Sequence, residues 1–345
     1  MKIAILAVRD TGGTAYTLAH AINSVQKDCH AIDIRGVNNF IDYPAFVEMD
    51  NYSVTNIGSF ISKADVIVFL GAMRPFFDRF RLSRNKLKHA KKMLLCMGSE
   101  WRWGRKTLKE QADRFLGDYK IVLGGADMFM QFQYKDPKTE EVIMTEPVDE
   151  SEVAYLPVVR SMTEIQSKFG MCNQDLKAVE AFGIPKKKVV YTHAPTSEWN
   201  KGSPTFYAAV TRAQQCCPNL CFTTVRQQPW VTTLRTLSQT DVLLDQAPPY
   251  PTAYGALSVE AGIFHVPSFS RIAPECQSFI KRYTGLKTPY ITFTDDEDLF
   301  KKVARMASDE KLRKEFGDAN YEFCRKVHDE KPVVDRFMRI VEEMN

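Results

Sequence analysis

Short apolar segments alternate with helix-length amphipathic segments over most of this chain. In the first half the apolar segments are 3–8, 30–34, 66–70, 93–96 and 121–123, and in the second half they are 188–191, 220–225, 241–245 and 266–269. Parallel strands are buried on both faces and therefore appear as continuous apolar runs, and each needs a crossover, usually a helix, to reach the next strand. The alternation therefore predicts an α/β protein with two parallel sheets.

The length of the chain also favours two domains, because 345 residues exceed the size at which a single core stops growing. We predict two Rossmann-like domains facing a cleft, an N-terminal domain at 1–165 and a C-terminal domain at 166–325. The segment 326–345 carries an apolar stripe with helical spacing, formed by Val334, Phe337, Met338 and Val341. Such a stripe needs a core in which to be buried, so we expect the last helix to cross back to the first domain.

Composition excludes several classes of protein. The chain is 44% hydrophobic and 26% charged with a net charge of +4, which is too small to indicate nucleic acid by itself. The eight cysteines lack the paired spacing of a zinc site, and we interpret them as free thiols in a reducing compartment.

The N-terminal apolar run ends at Arg9 and Asp10, so it predicts a strand and not a signal peptide. With no run of roughly 20 apolar residues, we expect a cytoplasmic protein.

The stretch DQAPPYPTAYGALSVEAG, residues 245–262, joins an apolar strand to a helix through a stiff loop. Pro248, Pro249 and Pro251 fix φ and have no N–H to donate, so neither a strand nor a helix continues through them. The helix is therefore predicted to begin only after Pro251, with Thr252 as its N-cap. A strand, a loop and a helix N-terminus in this order form the kind of edge at which an α/β sheet binds ligands.

Two stretches of the second half, VVYTHAPTSEWNKGSPTFYAAV (189–210) and TDVLLDQAPPYPTAYGALSVEAGIFHVPSFS (240–270), resemble the donor domain of GT-B glycosyltransferases, especially glycosyltransferase family 4. That family has a strand and a loop ending in Lys-Gly, and later a proline-containing loop followed by G-x-x-x-x-E-A-x-x-x-G-x-P-V. The matching residues are Lys201, Gly202, Gly255, Glu260, Ala261, His265 and Pro267. The resemblance covers residues 188–325 and is looser in the first half.

The resemblance implies transfer of a sugar from a nucleotide-sugar donor with retention at the anomeric carbon. We expect no cofactor, and we expect no metal because no acidic D-x-D pair lies at a strand end and Lys201 with helix termini can hold the diphosphate. Lys201 would act as a catalytic residue that holds the donor diphosphate and stabilises its leaving charge at a helix N-terminus. Tyr254 and Gly255 would bring a second helix N-terminus to the phosphates, and Glu260 would accept hydrogen bonds from two ribose hydroxyls. The ordinary alternatives are a solvated lysine and a helix-surface acid.

Five further residues are expected to line the cleft. Gly12 and Gly13 either make a tight turn or let the donor or acceptor approach a helix N-terminus. Glu100 is the second catalytic candidate, and Arg102 is its polar neighbour on the acceptor side. His193 lies at a strand end, where it either packs in the core or faces the acceptor.

The chain departs from the family in three places, of which one is Met97 before Gly98, where many members have a histidine after the fourth strand of the first domain. Thr252 stands where the first glutamate of E-x7-E is usual, which leaves the donor sugar and the retaining mechanism open. The arginine common before the Lys-Gly lysine is absent, and Arg226 is the candidate replacement as a phosphate ligand. A non-catalytic sugar-binding or nucleotide-binding protein is therefore one alternative. An NAD-type oxidoreductase is another, although RDTGGTAY does not fit the G-x-G-x-x-G fingerprint.

Residues 74–106 are rich in basic side chains. The segment 74–92 has eight lysines and arginines against one aspartate, with Phe76, Phe77 and Phe80 interleaved. The simplest interpretation is a solvated face whose phenylalanines pack inward. The alternatives are peripheral contact with a membrane surface, an anionic glycan or nucleic acid. The acceptor accordingly stays open between a lipid-linked glycan, a polysaccharide and a modified nucleic acid.

Overall fold

The chain forms two compact units. The computed structural model describes residues 1–8, 12–36, 47–48, 53–97, 99–130, 133–135, 142–144, 148–169, 188–248 and 252–344. The first unit consists of Met1–Val159 and Asp329–Asn345, and the second of Arg160–His328. The chain leaves the first unit after Val159 rather than after residue 165, and it returns after His328.

Strands and helices of the first unit alternate along the chain. The strands are β1 (Lys2–Ala7), β2 (His30–Arg35), β3 (Val47–Glu48), β4 (Val66–Leu70), β5 (Lys91–Cys96), β6 (Lys120–Leu123), β7 (Gln133–Lys135), β8 (Val142–Met144) and β9 (Val153–Tyr155). The helices are α1 (Thr14–Val25), α2 (Val54–Ile61), α3 (Arg74–Phe80) and α4 (Ser99–Phe115), with 3₁₀ turns at Arg84–Leu87 and Ala126–Phe129.

The sheet of the first unit is parallel throughout, in the order β3-β2-β1-β4-β5-β6-β9. Its first six strands have the order 3-2-1-4-5-6 of doubly wound nucleotide-binding folds. The direction of winding reverses between β1 and β4, and such sheets bind ligands at the carboxyl ends of the strands at this point. The pair β7 and β8 is antiparallel and separate from this sheet.

The second unit repeats the alternation on a smaller scale. Its strands are β10 (Val189–His193), β11 (Leu220–Thr224), β12 (Val242–Gln246) and β13 (Ser268–Ser270). Its helices are α5 (Met162–Phe169), α6 (Glu198–Lys201), α7 (Ser203–Cys216), α8 (Trp230–Leu237), α9 (Ala256–Ile263), α10 (Pro274–Thr284), α11 (Asp296–Ser308) and α12 (Glu310–Val327). The strands form a parallel sheet in the order β11-β10-β12-β13, so the winding reverses between β10 and β12.

The last helix, α13 (Glu330–Glu343), belongs to the first unit. Its Val333, Val334, Phe337, Ile340 and Val341 are buried in one hydrophobic cluster with residues of β1, α1 and β4. The return of the C-terminal helix to the first half, which its apolar stripe predicts, is therefore confirmed.

The predicted N-cap of the helix that follows the proline loop is wrong. Helix α9 begins at Ala256 with Gly255 as its N-cap, because the backbone of Thr252 instead forms a β-bridge with Ile272. The N-cap of α12 is Asp309, whose carboxylate accepts a hydrogen bond from the backbone N–H of Leu312 at 2.9 Å.

The basic segment has its phenylalanines turned inward, as its simplest interpretation predicts. Phe76, Phe77 and Phe80 are at most 5% exposed. The ring of Phe77 stacks on Phe69, and the ring of Phe76 stacks on Phe80. The basic side chains that are exposed are Arg74, Arg79, Arg81, Arg84, Lys86 and Lys88. Across the described residues, no helix is both long and apolar enough to span a membrane.

Candidate functional site

The residues of greatest chemical interest lie where β10 and β12 end side by side in the second sheet. The winding of the sheet reverses between these strands, which makes their carboxyl ends the expected ligand-binding edge. Lys201 is the last residue of the short helix α6, which follows β10. Asp245 is the penultimate residue of β12, just before the proline loop. Gly255 is the N-cap of α9, so three segments of the chain meet at this edge.

The Lys201-Gly202 pair is held in one conformation by the backbone of the neighbouring strand. Gly202 has a φ of 66° and links α6 to α7. A β-carbon at this position would lie 1.8 Å from the carbonyl oxygen of Ala247, so both the backbone angle and the lack of space require glycine. The N–H of Ala247 donates to the carbonyl of Lys201 at 3.0 Å, which fixes the lysine beside the end of β12.

Asp245 is the buried centre of this cluster. Its Oδ1 accepts a hydrogen bond from Lys201 Nζ at 2.8 Å. Its Oδ2 accepts from the N–H of Gly255 at 2.9 Å and from the hydroxyl of Ser258 at 2.7 Å. Because the Ser258 hydroxyl hydrogen is used on the carboxylate, the hydroxyls of Ser268 and Ser270 must donate to Ser258.

Asp245 had no predicted role. The signal was a single acid directly after the apolar run Val242–Leu244, at the end of a strand. In the structure its carboxylate binds the same two groups, the Lys201 ammonium and the first N–H of α9, that were expected to bind phosphate. The lysine is therefore an ion-paired residue and not a solvated one, with 17% of its side chain exposed.

Gly255 leaves room for three polar groups to converge. A β-carbon on it would lie 2.8 Å from Asp245 Oδ2, from Gln246 Nε2 and from Lys201 Nζ. The ammonium of Lys201 has three N–H donors, of which one is directed to Asp245. A ligand at the start of α9 would thus meet further donors from Lys201 and the amide of Gln246.

Glu260 lies in α9 and is buried, as the apolar residues around it predict. Its Oε1 accepts hydrogen bonds from Arg160 Nε at 2.7 Å and from Trp230 Nε1 at 3.1 Å. Arg160 supplies the opposite charge within the chain, so the burial of this carboxylate does not by itself require a ligand. Arg160 and Trp230 were missed because their sequence neighbours give no sign of contact with a residue 100 or 30 positions away.

His193 does not face a ligand. The ring is fully buried at the end of β10, and its Nδ1 lies 2.7 Å from the carbonyl of Leu244. A carbonyl only accepts, so Nδ1 carries the hydrogen, and Nε2 accepts from the hydroxyl of Ser203 at 2.7 Å. Burial lowers the pKa of His193 to about 4. Of the two interpretations offered, the packed histidine is correct and the acceptor-facing one is wrong.

Arg226 and Tyr254 are each engaged by other side chains of the second unit. Arg226 is exposed, forms an ion pair with Glu198 at 2.7 Å, and donates to the hydroxyl of Tyr207 at 2.9 Å. Since Glu198 begins the helix that ends at Lys201, Arg226 lies against the other end of the same short helix. The Tyr254 hydroxyl lies 2.9 Å from His328 Nε2, so its phenol contacts the residue that follows α12.

The remaining candidates belong to the first unit. Gly13 is the N-cap of α1 with a φ of 63°, a left-handed conformation that favours glycine, and Gly12 precedes it at the carboxyl end of β1. Both therefore lie at the point where the winding of the first sheet reverses. Glu100 and Arg102 are in α4, but their side chains lie outside the described residues. Among the described residues, no group of three or more His, Cys, Asp or Glu is arranged to hold a metal ion.

Solved structures with a similar fold match nearly the whole chain. Anabaena HepE, crystallised with UDP and glucose, is 12% identical, with 100% of both chains covered and a TM-score of 0.60. A glycosyltransferase from Rickettsia africae is 11% identical over 99% of this chain and 98% of its own, with a TM-score of 0.57. The UDP-GlcNAc 2-epimerase of Neisseria meningitidis, bound to UDP-GlcNAc, is 11% identical over 98% and 100%, with a TM-score of 0.52.

These matches confirm the predicted fold class, an α/β chain with the two Rossmann-like domains of GT-B enzymes. The similar structures include GT-B glycosyltransferases, whereas membership of family 4 stays a prediction. No protein-family model matches the chain, and no sequence among curated proteins matches it.

Proposed function

We propose that the protein is a glycosyltransferase that uses a nucleotide-sugar donor. The observation that carries this proposal is the polar cluster at the carboxyl ends of β10 and β12, where Lys201, Gln246 and Gly255 converge at the start of α9. Asp245 uses one hydrogen of the Lys201 ammonium and the N–H of Gly255, so a diphosphate would bind the remaining ammonium hydrogens and the later N–H groups at the start of α9. Glu260 lies one to two turns further along the same helix, and in this proposal its carboxylate accepts hydrogen bonds from the donor ribose.

In this proposal the second unit binds the donor. Lys201 donates to the diphosphate. Its positive charge stabilises the negative charge that grows on the phosphate oxygen as the bond from that oxygen to the anomeric carbon breaks. The acceptor hydroxyl forms the new bond to that carbon and gives its proton to the departing phosphate oxygen, and the nucleoside diphosphate leaves. Glu100 stays the second proposed catalytic residue. Retention, independence from metals and cofactors, and kinship with family 4 are parts of the proposal that rest on the sequence resemblance.

We also propose that the exposed basic side chains between Arg74 and Lys88 bring the enzyme to an anionic surface on which the acceptor resides. This segment has six exposed basic side chains and one exposed acidic side chain, Asp78, which is paired with Arg74 at 3.3 Å. Such a surface suits a peripheral contact with the cytoplasmic face of an anionic membrane. A lipid-linked glycan is then the favoured acceptor.

A thermal-shift panel tests the donor first. A ligand at 100 times its dissociation constant adds about 2.7 kcal/mol to the free energy of unfolding. We expect stabilisation by one of UDP, GDP and ADP and by its sugar conjugates. Stabilisation by NAD alone would refute the proposal in favour of an oxidoreductase.

The chemistry is tested by incubating the stabilising nucleotide-sugar with and without candidate acceptors and separating the products. Transfer to an acceptor supports the proposal. Conversion of the free donor into its epimer would instead assign the activity of the Neisseria meningitidis enzyme. Binding without turnover would indicate the non-catalytic alternative.

Two variants separate the two halves of the donor. Lys201→Ala should weaken nucleoside diphosphates much more than the bare nucleoside, because the lysine's partner is the phosphate. Glu260→Gln should lower affinity for both by about tenfold or more, since it weakens charge-assisted hydrogen bonds to the ribose. Calorimetry measures both, with circular dichroism as the control for folding. A folded Glu260→Gln protein that binds nucleoside as tightly as the parent would disprove the ribose contact.

A further inference from the structure

Glu260 is anchored through one oxygen. Arg160 Nε and Trp230 Nε1 both donate to Oε1. The three residues are at most 2% exposed, so their side chains have little freedom to rearrange. Within the described residues, no hydrogen bond reaches Oε2. One oxygen of the carboxylate is therefore fixed by two donors, and the other keeps its capacity to accept.

Both donors are held by backbone that is independent of α9. Trp230 begins α8 directly after Pro229, whose φ is −53°. The backbone N–H of Arg160 donates to the carbonyl of His328 at 2.8 Å, which fixes the start of the second unit against its end. The orientation of the Glu260 carboxylate is thus set by two anchored side chains and not by the helix alone.

The charge of the cluster selects the kind of ligand that Oε2 can take. Arg160 already supplies the positive charge that a buried carboxylate needs. A second cation would leave a net positive charge in a buried place, which is costly. A neutral hydroxyl has no such cost and gains a charge-assisted hydrogen bond.

We propose that Arg160 and Trp230 are positioning residues that direct Oε2 of Glu260 at a hydroxyl of the donor ribose. The inference rests on the proposed nucleotide-sugar site and assigns the discrimination between ribose and deoxyribose to residues outside the Glu260 helix. Neither residue touches the ligand. Each acts by preventing rotation of the carboxylate.

Calorimetry tests this with UDP, GDP and ADP, followed by the 2′-deoxy analogue of the tightest-binding one. The parent should prefer the ribonucleotide by about tenfold or more, the value of one charge-assisted hydrogen bond. Trp230→Phe keeps an aromatic ring but removes the N–H donor to Oε1. It should lower that preference several-fold, mainly by weakening the ribonucleotide. Trp199→Phe is the matched control, because Trp199 is exposed, and it should leave the preference unchanged.

Equal affinity of the parent for the two analogues overturns the inference and leaves nucleotide binding intact. A preference in Trp230→Phe as large as in Trp199→Phe also overturns it. Arg160→Lys keeps the charge without the Nε donor, and it replaces Trp230→Phe if that protein does not fold, with the same loss expected. Failure of all three nucleotides to bind the parent refutes the proposed function itself, and the inference with it.

Discussion

A double-mutant cycle can measure the coupling energy of the ion pair between Lys201 and Asp245. The two charges are 2.8 Å apart, and Asp245 is fully buried. Their attraction is about 6 kcal/mol at an effective dielectric constant of about 20, and about 1.5 kcal/mol in water. The cost of removing both groups from water offsets much of the larger value. Lys201→Met leaves the aspartate without its cation, and we expect it to lower the free energy of unfolding by about 3 kcal/mol.

The second arm of the cycle is Asp245→Asn, which removes the charge that Lys201→Met leaves uncompensated. The double variant Lys201→Met/Asp245→Asn should therefore be more stable than the sum of the single losses predicts, by about 2 kcal/mol. Urea unfolding in a Trp101→Phe/Trp103→Phe background provides the assay, because the remaining two of the four tryptophans, Trp199 and Trp230, lie in the second unit. Losses that add to within about 0.5 kcal/mol would refute the proposed coupling.

Three further predictions concern backbone, pH and core. Gly202→Ala should be far more destabilising in urea than Gly285→Ala, because both have positive φ but only Gly202 lacks space for a β-carbon; equal losses would contradict this. The free energy of unfolding should fall by up to about 3 kcal/mol as the pH drops from 6.5 towards 4, because His193 takes up a proton in this range when unfolded but not when folded. The His193→Gln protein should lack this part of the pH dependence. Identical pH profiles for the two proteins would disprove the prediction. Phe337→Ala should cost about 3–5 kcal/mol in the first unit, and a loss below 1 kcal/mol would place the helix elsewhere.

Sequence patterns predicted the two sheets well because buried parallel strands are apolar on both faces. The strand Val66–Leu70 has the predicted bounds, and most other strands differ from theirs by one or two residues. The apolar stripe of α13 likewise predicted that one face of this helix is buried, because exposure of a continuous row of Val and Phe side chains to water is unfavourable.

The caps and the polar network were less predictable because they depend on partners that are distant in sequence. Thr252 has the side chain of an N-cap, but its backbone pairs with Ile272, so the helix begins at Ala256 instead. The pairing of Arg160 with Glu260 joins residues 100 positions apart. Local propensity carries no information about either contact, and only the folded sheet brings the groups together.

The return of α13 to the first unit changes the order in which the protein can be completed during synthesis. The ribosome makes the N-terminal strands first, and independent domains usually fold as they emerge. Here the hydrophobic core of the first unit still lacks Val333 and Phe337 when all of Arg160–His328 has been made. The second unit is a continuous segment, so it is the one that can finish first. The apolar surface that α13 covers therefore stays exposed until α13 itself has left the ribosome, and chaperones that bind apolar nascent chain would have this surface as their substrate.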